Sequence, residues 1–194
     1  MTVGALDLGS GADLRFFLEF TEADGTRRRD PLGSCVTARL EDALPVRSFQ
    51  WAKGACHFPG LWWSSTTGDH VGFESWLERD HVMAMDFDPD ITGIASQPFW
   101  LRWRDEDGRD RRHAPDFFAR RADGSGLVVD VRPDDRIPAK DAGVFGVTAI
   151  ACGQAGWEFR RAGAIDPVGG PPAARCPGRC RRREWPGPRR SGCR

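Results

Sequence analysis

The chain has 194 residues, with 28 Lys or Arg and 28 Asp or Glu, so its formal net charge at pH 7 is zero. It contains no run of about 18 apolar residues and no basic region followed by an apolar one at its start, so we expect neither a membrane span nor a secretory signal. Eight Trp and twelve Phe can fill the core of one α/β domain. We expect this domain to be cytoplasmic and its six cysteines to be reduced thiols.

The zero net charge hides a division along the chain. Residues 169–194 contain eight Arg and one Glu, which leaves a net charge of −7 on the first 168 residues. Proteins that bind DNA alone and without sequence preference are normally basic, because neutralised phosphates release counterions. If this acidic body meets DNA, we expect a partner to deliver it.

The N-terminal third predicts a strand at Leu14 to Phe20, followed by a turn and a polar return. Residues 36–44 fit a helix or a strand equally well and stay unassigned. Two further apolar segments follow, Val46 to Trp51 and His57 to Trp63, the second with a turn signal at Pro59-Gly60. Aromatic residues of this kind can stack on nucleic-acid bases, but we favour packing in the core for the second segment.

The clearest helix runs from Phe73 to about Phe87, where apolar residues recur at intervals of three and four. The remaining pattern predicts extended segments, a hairpin and a second helix, in this order: Ile91 to Ser96, Pro98 to Arg104, the hairpin strands Phe117 to Arg120 and Leu127 to Val131, a helix from Ile137 to Cys152, and a strand from Trp157 to Arg161. Together these elements predict an α/β sandwich with a mixed β-sheet flanked by α-helices.

The predicted hairpin carries two carboxylates in apolar surroundings. If the chain turns at Asp123, residue numbers on opposite strands sum to about 246, so Asp116 faces Asp130 with Cβ atoms about 5 Å apart. Two anions held this close favour a cation between them. Mg²⁺ suits these oxygen ligands, and the carbonyl of Val131 is a candidate backbone ligand. Arg132 projects from the same face of the strand as Asp130 and is placed to orient a phosphate.

Pro115-Asp116 followed by Asp130-Val131-Arg132 resembles the Pro-Asp…(Asp/Glu)-x-Lys signature of restriction-endonuclease-like nucleases. The match is closer to the TnsA-like endonuclease subunits of heteromeric transposases. Five motifs carry this resemblance over roughly residues 44–168: HFPGLWWSSTTGDHVGFESWLERD from His57, DFDPDITGIASQP from Asp86, HAPDFF from His113, DVRP from Asp130 and AGWEFRRAG from Ala155.

The resemblance implies a restriction-endonuclease-like fold and a Mg²⁺-dependent DNA endonuclease, with Mn²⁺ as a possible substitute. Glu78 matches the first catalytic acid of the family, Asp116 the second and Asp130 the variable third, while Arg132 stands where the family usually has Lys. Because a guanidinium stays protonated, we assign Arg132 to phosphate positioning rather than to base catalysis. The family also implies cleavage of double-stranded DNA at the 5′ ends of a transposon, with a TnsB-like transposase as partner.

We divide the chain into an N-terminal extension (1–43), an endonuclease domain (44–168) and an Arg/Pro/Gly-rich tail (169–194). Three interpretations of the tail compete: a shifted reading frame, which we favour, a basic DNA-binding arm, and a zinc site at its three cysteines. The alternative function is a non-catalytic subunit that bridges transposase and DNA. A free-standing restriction or repair nuclease is a third, weaker reading, because the aromatic motifs point to the transposase subunit.

Overall fold

A computed structural model describes residues 14–48, 59–133 and 139–165. The tail and part of the Val46 to Trp51 segment lie outside these ranges. The described residues form ten strands and two α-helices, with short 3-10 turns at Leu32–Ser34 and Leu40–Asp42. The elements are β1 (Phe17–Thr21), β2 (Arg27–Pro31), β3 (Gly60–Ser64), β4 (Asp69–Phe73), α1 (Trp76–Asp86), β5 (Ile91–Ser96), β6 (Phe99–Arg104), β7 (Asp110–His113), β8 (Phe117–Arg121), β9 (Gly126–Val131), α2 (Ala139–Ala155) and β10 (Glu158–Ala162).

The central sheet has the strand order β10-β9-β8-β5. It is a mixed sheet, because β9 pairs parallel with β10 and antiparallel with β8, and β8 pairs antiparallel with β5. In the β8-β9 hairpin, Phe117 pairs with Val129 and Arg120 with Gly126. This is the register expected from a turn at Asp123, and it directs Asp116 toward Asp130 just beyond the last pair.

A second sheet, with the order β2-β1-β6-β7, is antiparallel throughout. Its strand β1 comes from the segment that the sequence analysis separates as an extension, yet β1 lies between β2 and β6. Phe16, Leu18 and Phe20 pack in one hydrophobic cluster with Phe118 and Val128 of the central sheet. Described residues of the N-terminal segment therefore build the same core as the central sheet.

The two helices cover opposite faces of the central sheet. Val82 and Met85 of α1 join a cluster that includes Val129 and Val131 of β9. Residues of α2 belong instead to the cluster that contains Val128. Because side chains alternate across a strand, Val128 and Val129 mark the two faces. The mixed α/β class predicted from sequence is confirmed.

Helix boundaries follow local signals. Helix α1 starts at Trp76, three residues after the predicted start, because Ser75 is extended and its side chain caps the helix. The preceding residues form β4, which the sequence analysis missed. Helix α2 continues to Ala155 and ends where Gly156 adopts a positive φ of 69°.

The prediction that the aromatic segment packs in the core is wrong for its outward face. Leu61 and Trp63 in β3 are 60% and 58% exposed, while Ser64 is buried. Strand β3 pairs with β4 alone among the described strands, so alternate side chains of β3 face solvent.

Cys35 and Cys152 are buried free thiols, as expected. Neither α1 nor α2, the helices in the described ranges, combines the length and apolar character needed to cross a membrane.

Candidate functional site

Three buried carboxylates come from elements that meet at one end of the central sheet. Asp116 immediately precedes β8, Asp130 is the penultimate residue of β9, and Glu78 lies in the first turn of α1. Their exposed fractions are only 5%, 2% and 7%. Buried charges are costly unless they are paired or bind a cation, so their partners define what the site can do.

Asp116 is held by backbone groups on two sides. Its Oδ2 accepts a hydrogen bond of 2.7 Å from the amide of Val131, and its carbonyl accepts one of 2.9 Å from the amide of Gln97. Within the described ranges no hydrogen bond reaches Oδ1, and the nearest cation there is Nη2 of Arg47 at 4.0 Å. One carboxylate oxygen of Asp116 therefore remains open to a ligand.

The pKa of Asp116 is raised from 3.8 to about 8. Burial is the main cause, followed by the negative charges of Glu78 and Asp130, and the Val131 amide and the Arg132 charge only partly oppose it. Asp116 is thus the carboxylate whose charge interacts with both of the others. A cation beside Asp116 would favour its ionised form and so oppose the rise in its pKa.

Asp130 is bound by a residue that the sequence analysis did not assign to the site. Nε2 of His113 lies 2.8 Å from Oδ2 and 3.0 Å from Oδ1 of Asp130. His113 ends β7, so this contact joins the second sheet to the central one. Its position two residues before Pro115-Asp116 was the available sequence signal, but only the pairing of β6 with β7 brings its ring to Asp130.

The Glu78 carboxylate forms hydrogen bonds with the two residues that precede helix α1. Its Oε1 accepts a hydrogen bond of 3.0 Å from the Ser75 hydroxyl, and its Oε2 accepts one of 2.7 Å from the Glu74 amide. The Ser75 hydroxyl in turn accepts from the Glu78 amide at 3.2 Å, so Ser75 and Glu78 cap the helix reciprocally, in a variant of the capping box in which the carboxylate accepts from the Glu74 amide. Burial raises the pKa of Glu78, while these hydrogen bonds and the charge of Arg132 oppose the rise.

Arg132 follows β9 and is exposed, unlike the three acids. Its Nη1 donates a hydrogen bond of 3.2 Å to the carbonyl of Val131, the group predicted as a backbone metal ligand. Its positive charge also opposes the rise in the pKa of both Asp116 and Glu78. This placement suits the contact with a phosphate expected for Arg132.

The structure gathers the predicted residues into one region without forming a closed ligand shell. Among the residues it describes, no group of three His, Cys, Asp or Glu side chains is placed to hold one ion. Two hydrogen-bonding arrangements account for this, since Asp130 binds His113 and Glu78 binds the start of α1. The donor chemistry nevertheless fits Mg²⁺, a hard cation that prefers carboxylate oxygens and keeps several waters.

Two other residues beside Asp116 were missed. Arg47 forms an ion pair of 2.8 Å with Glu74 and reaches toward Asp116. Gln97, in the short connection between β5 and β6, has a φ of 48° and is 1% exposed. Its Oε1 has no partner within the described residues. A strained, buried polar residue is typical of functional sites, and Gln97 anchors the backbone of Asp116.

Replacing Asp116 with Asn should stabilise the protein, and the gain should grow as the pH rises from about 5 to 8. The folded-state pKa of Asp116 lies above its unfolded value, so the unfolded chain releases this proton at lower pH and wild-type stability falls across that interval. Asn does not titrate. Urea unfolding at both pH values should show the gain increasing by at least ~1.4 kcal/mol, the equivalent of one pKa unit.

Asp107→Asn is the matched control, because the Asp107 side chain is 65% exposed and lies in the β6-β7 turn. Its unfolding free energy should follow the wild-type pH profile. The same pH profile for Asp116→Asn and the wild type would contradict the electrostatic strain assigned to Asp116.

No protein-family model and no curated protein matches the chain. A function is therefore proposed from the carboxylates, their partners and the sheet that positions them.

Proposed function

We propose that this chain is a Mg²⁺-dependent DNA endonuclease with a restriction-endonuclease-like fold. The observation that carries the proposal is Asp116, a buried carboxylate flanked by the charges of Glu78 and Asp130, with one oxygen that accepts no hydrogen bond from the described residues. A structural carboxylate would normally be paired or fully hydrogen-bonded. Strongly perturbed carboxylates with several acidic neighbours are characteristic of catalytic sites.

The arrangement of secondary structure supports the same proposal. Asp116 immediately precedes β8, and Asp130 is the penultimate residue of the neighbouring strand β9, so two carboxylates lie at the same end of a mixed sheet. Helix α1 supplies Glu78 from one face of that sheet, and α2 covers the other. This order of acid-bearing helix and hairpin agrees with the signature that the sequence resembles.

Asp116, Glu78 and Asp130 would hold Mg²⁺, or Mn²⁺ in its place, and the Val131 carbonyl is the candidate backbone ligand. The bound ion would supply charge stabilisation and an activated water. His113 orients the Asp130 carboxylate through its Nε2 contact. Arg132 contributes a fixed positive charge at the open edge of the site, where a bidentate contact with a phosphate can position the DNA backbone.

At a finer level, we propose a TnsA-like role, hydrolysing phosphodiester bonds at the 5′ ends of a transposon beside a TnsB-like transposase. The motifs HFPGLWW, HAPDFF and DVRP support this assignment through their order and spacing. The acidic balance of residues 1–168 favours a complex in which the partner recognises the DNA. The cytoplasmic location expected from the sequence agrees with this role.

The second candidate is a non-catalytic subunit of the same fold that bridges transposase and DNA. The hydrogen bonds of Glu78 to the start of α1 and of Asp130 to His113 favour it, because both carboxylates already have protein partners. The two candidates differ in one measurable property, which is whether the chain hydrolyses DNA with Mg²⁺.

Asp116→Ala should reduce Mg²⁺-dependent cleavage of transposon-end DNA by more than about 100-fold in the presence of the partner transposase, because it removes the central ligand. Nicking is measured on labelled ends with the full chain. Asp107→Ala removes an exposed carboxylate and should leave the rate unchanged. Equal cleavage by Asp116→Ala and wild type would refute the active site, and no cleavage by any form would favour the bridging subunit.

Arg132→Lys should retain or raise the cleavage rate, because an ammonium keeps the positive charge beside Glu78 and Asp116 and matches the residue typical of the resembled signature. Arg132→Gln is the comparison variant and should be slower through loss of the charge. Complete loss of cleavage in Arg132→Lys would instead show that the planar guanidinium is required.

A further inference from the structure

The outward face of the second sheet is rich in arginine. Leu18, Leu101 and Trp103 point into the core, so the residues that alternate with them in β1 and β6 point outward. Directly paired residues of antiparallel strands share a face. The pairings therefore place five arginines and one tryptophan on this surface, which we term the basic face: Arg27, Arg29, Trp100, Arg102, Arg104 and Arg112.

The basic face has an excess of positive charge on an acidic body. Its carboxylates are Glu19 and Asp110, which leaves a net charge of +3 against the net −7 of residues 1–168. Glu19 pairs with Arg102 at 2.5 Å and Asp110 with Arg104 at 3.1 Å. In the described part of the chain, no carboxylate lies within 4.0 Å of the guanidinium groups of Arg27, Arg29 and Arg112.

Aromatic rings hold two of these guanidinium groups. Arg112 lies over the Trp100 ring at 4.3 Å from its centroid, and Arg29 lies over Phe17 at 6.0 Å. A guanidinium stacked on a ring loses less conformational freedom when it binds a phosphate, and its donors stay directed outward. Charged side chains also protect sheet edges from pairing, but that role does not require a net positive charge.

The basic face adjoins the candidate active site through β7. Arg112 points outward, and the next residue, His113, contacts Asp130. Arg29 and Arg112 lie on the two outer strands of the sheet, three strand spacings apart and offset by two residues along the strands, which separates their backbones by about 16 Å. The two side chains are therefore far enough apart to reach phosphates on both sides of the major groove of B-DNA, which is about 12 Å wide.

We propose that the basic face binds the phosphate backbone of duplex DNA and leads it along β7 to the carboxylates. This inference rests on the proposed nuclease function for its choice of ligand. It also assigns DNA contact to this chain itself, in addition to any contact made by a partner. The recognised chemistry is the regular array of phosphates, so binding should be independent of base sequence and strongly dependent on salt.

The test compares two double variants of the full chain that remove the same charge. Arg29→Gln with Arg112→Gln alters the basic face, and Arg39→Gln with Arg160→Gln alters arginines elsewhere whose side chains are 78% and 51% exposed. Binding to a fluorescein-labelled duplex is followed by anisotropy without divalent ions over a series of NaCl concentrations. Circular dichroism and the urea midpoint establish that all forms are folded.

The basic-face variant should bind roughly 10-fold or more weakly at low salt, and the slope of log K against log salt should become shallower by about 1.8, or 0.9 for each lost phosphate contact. The control variant should resemble the wild type. Equal behaviour of the two variants, or no duplex binding by the wild type, would overturn the assignment of the basic face.

Binding without divalent ions is independent of cleavage, so the two proposals can fail separately. If the basic face binds DNA but Asp116 makes no difference to hydrolysis, the nuclease function fails and the binding surface stands. If Asp116 is essential for cleavage but Arg29 and Arg112 are not needed for binding, the nuclease function stands and the basic face is overturned.

Discussion

The burial of the Asp116 carboxylate is the constraint on which the site depends. The amide of Val131 satisfies Oδ2, while Glu78 and Asp130 add negative charge from either side. The sheet, α1 and the His113 contact hold these groups together despite their repulsion, at a cost to folding stability. A cation bound at this site would reduce the repulsion between the carboxylates and would therefore offset part of its cost to folding stability.

Both sheets contribute to this strain. Strand β7 belongs to the second sheet, yet its last residue, His113, binds the Asp130 carboxylate of the central sheet. The chain then passes through Pro115 into Asp116 and β8. The N-terminal strands therefore contribute to the site, because β1 pairs with β6, β6 pairs with β7, and β7 positions His113. The same strand β7 exposes Arg112 of the basic face, the residue immediately before His113.

Local sequence patterns could predict the hairpin and its carboxylates but not the partners of those carboxylates. The turn at Asp123-Gly124 sets the register of β8 and β9, which fixes the relation of Asp116 to Asp130. The His113 contact depends on the pairing of β1 with β6 and of β6 with β7. Strands β1 and β6 are far apart in the sequence, and no local pattern shows which strands pair with each other. The exposure of Trp63 was missed because aromatic content does not reveal which side of a strand is covered.

Calorimetric titration of the full chain with Mg²⁺ tests most directly whether the carboxylates form a cation site. Because the pKa of Asp116 is raised to about 8, binding near neutral pH should release a proton, visible as a heat that changes with the ionisation enthalpy of the buffer. Asp116→Asn should abolish both the binding and the proton release. Absence of Mg²⁺ binding by the wild type, or unchanged binding by Asp116→Asn, would contradict a cation site centred on Asp116.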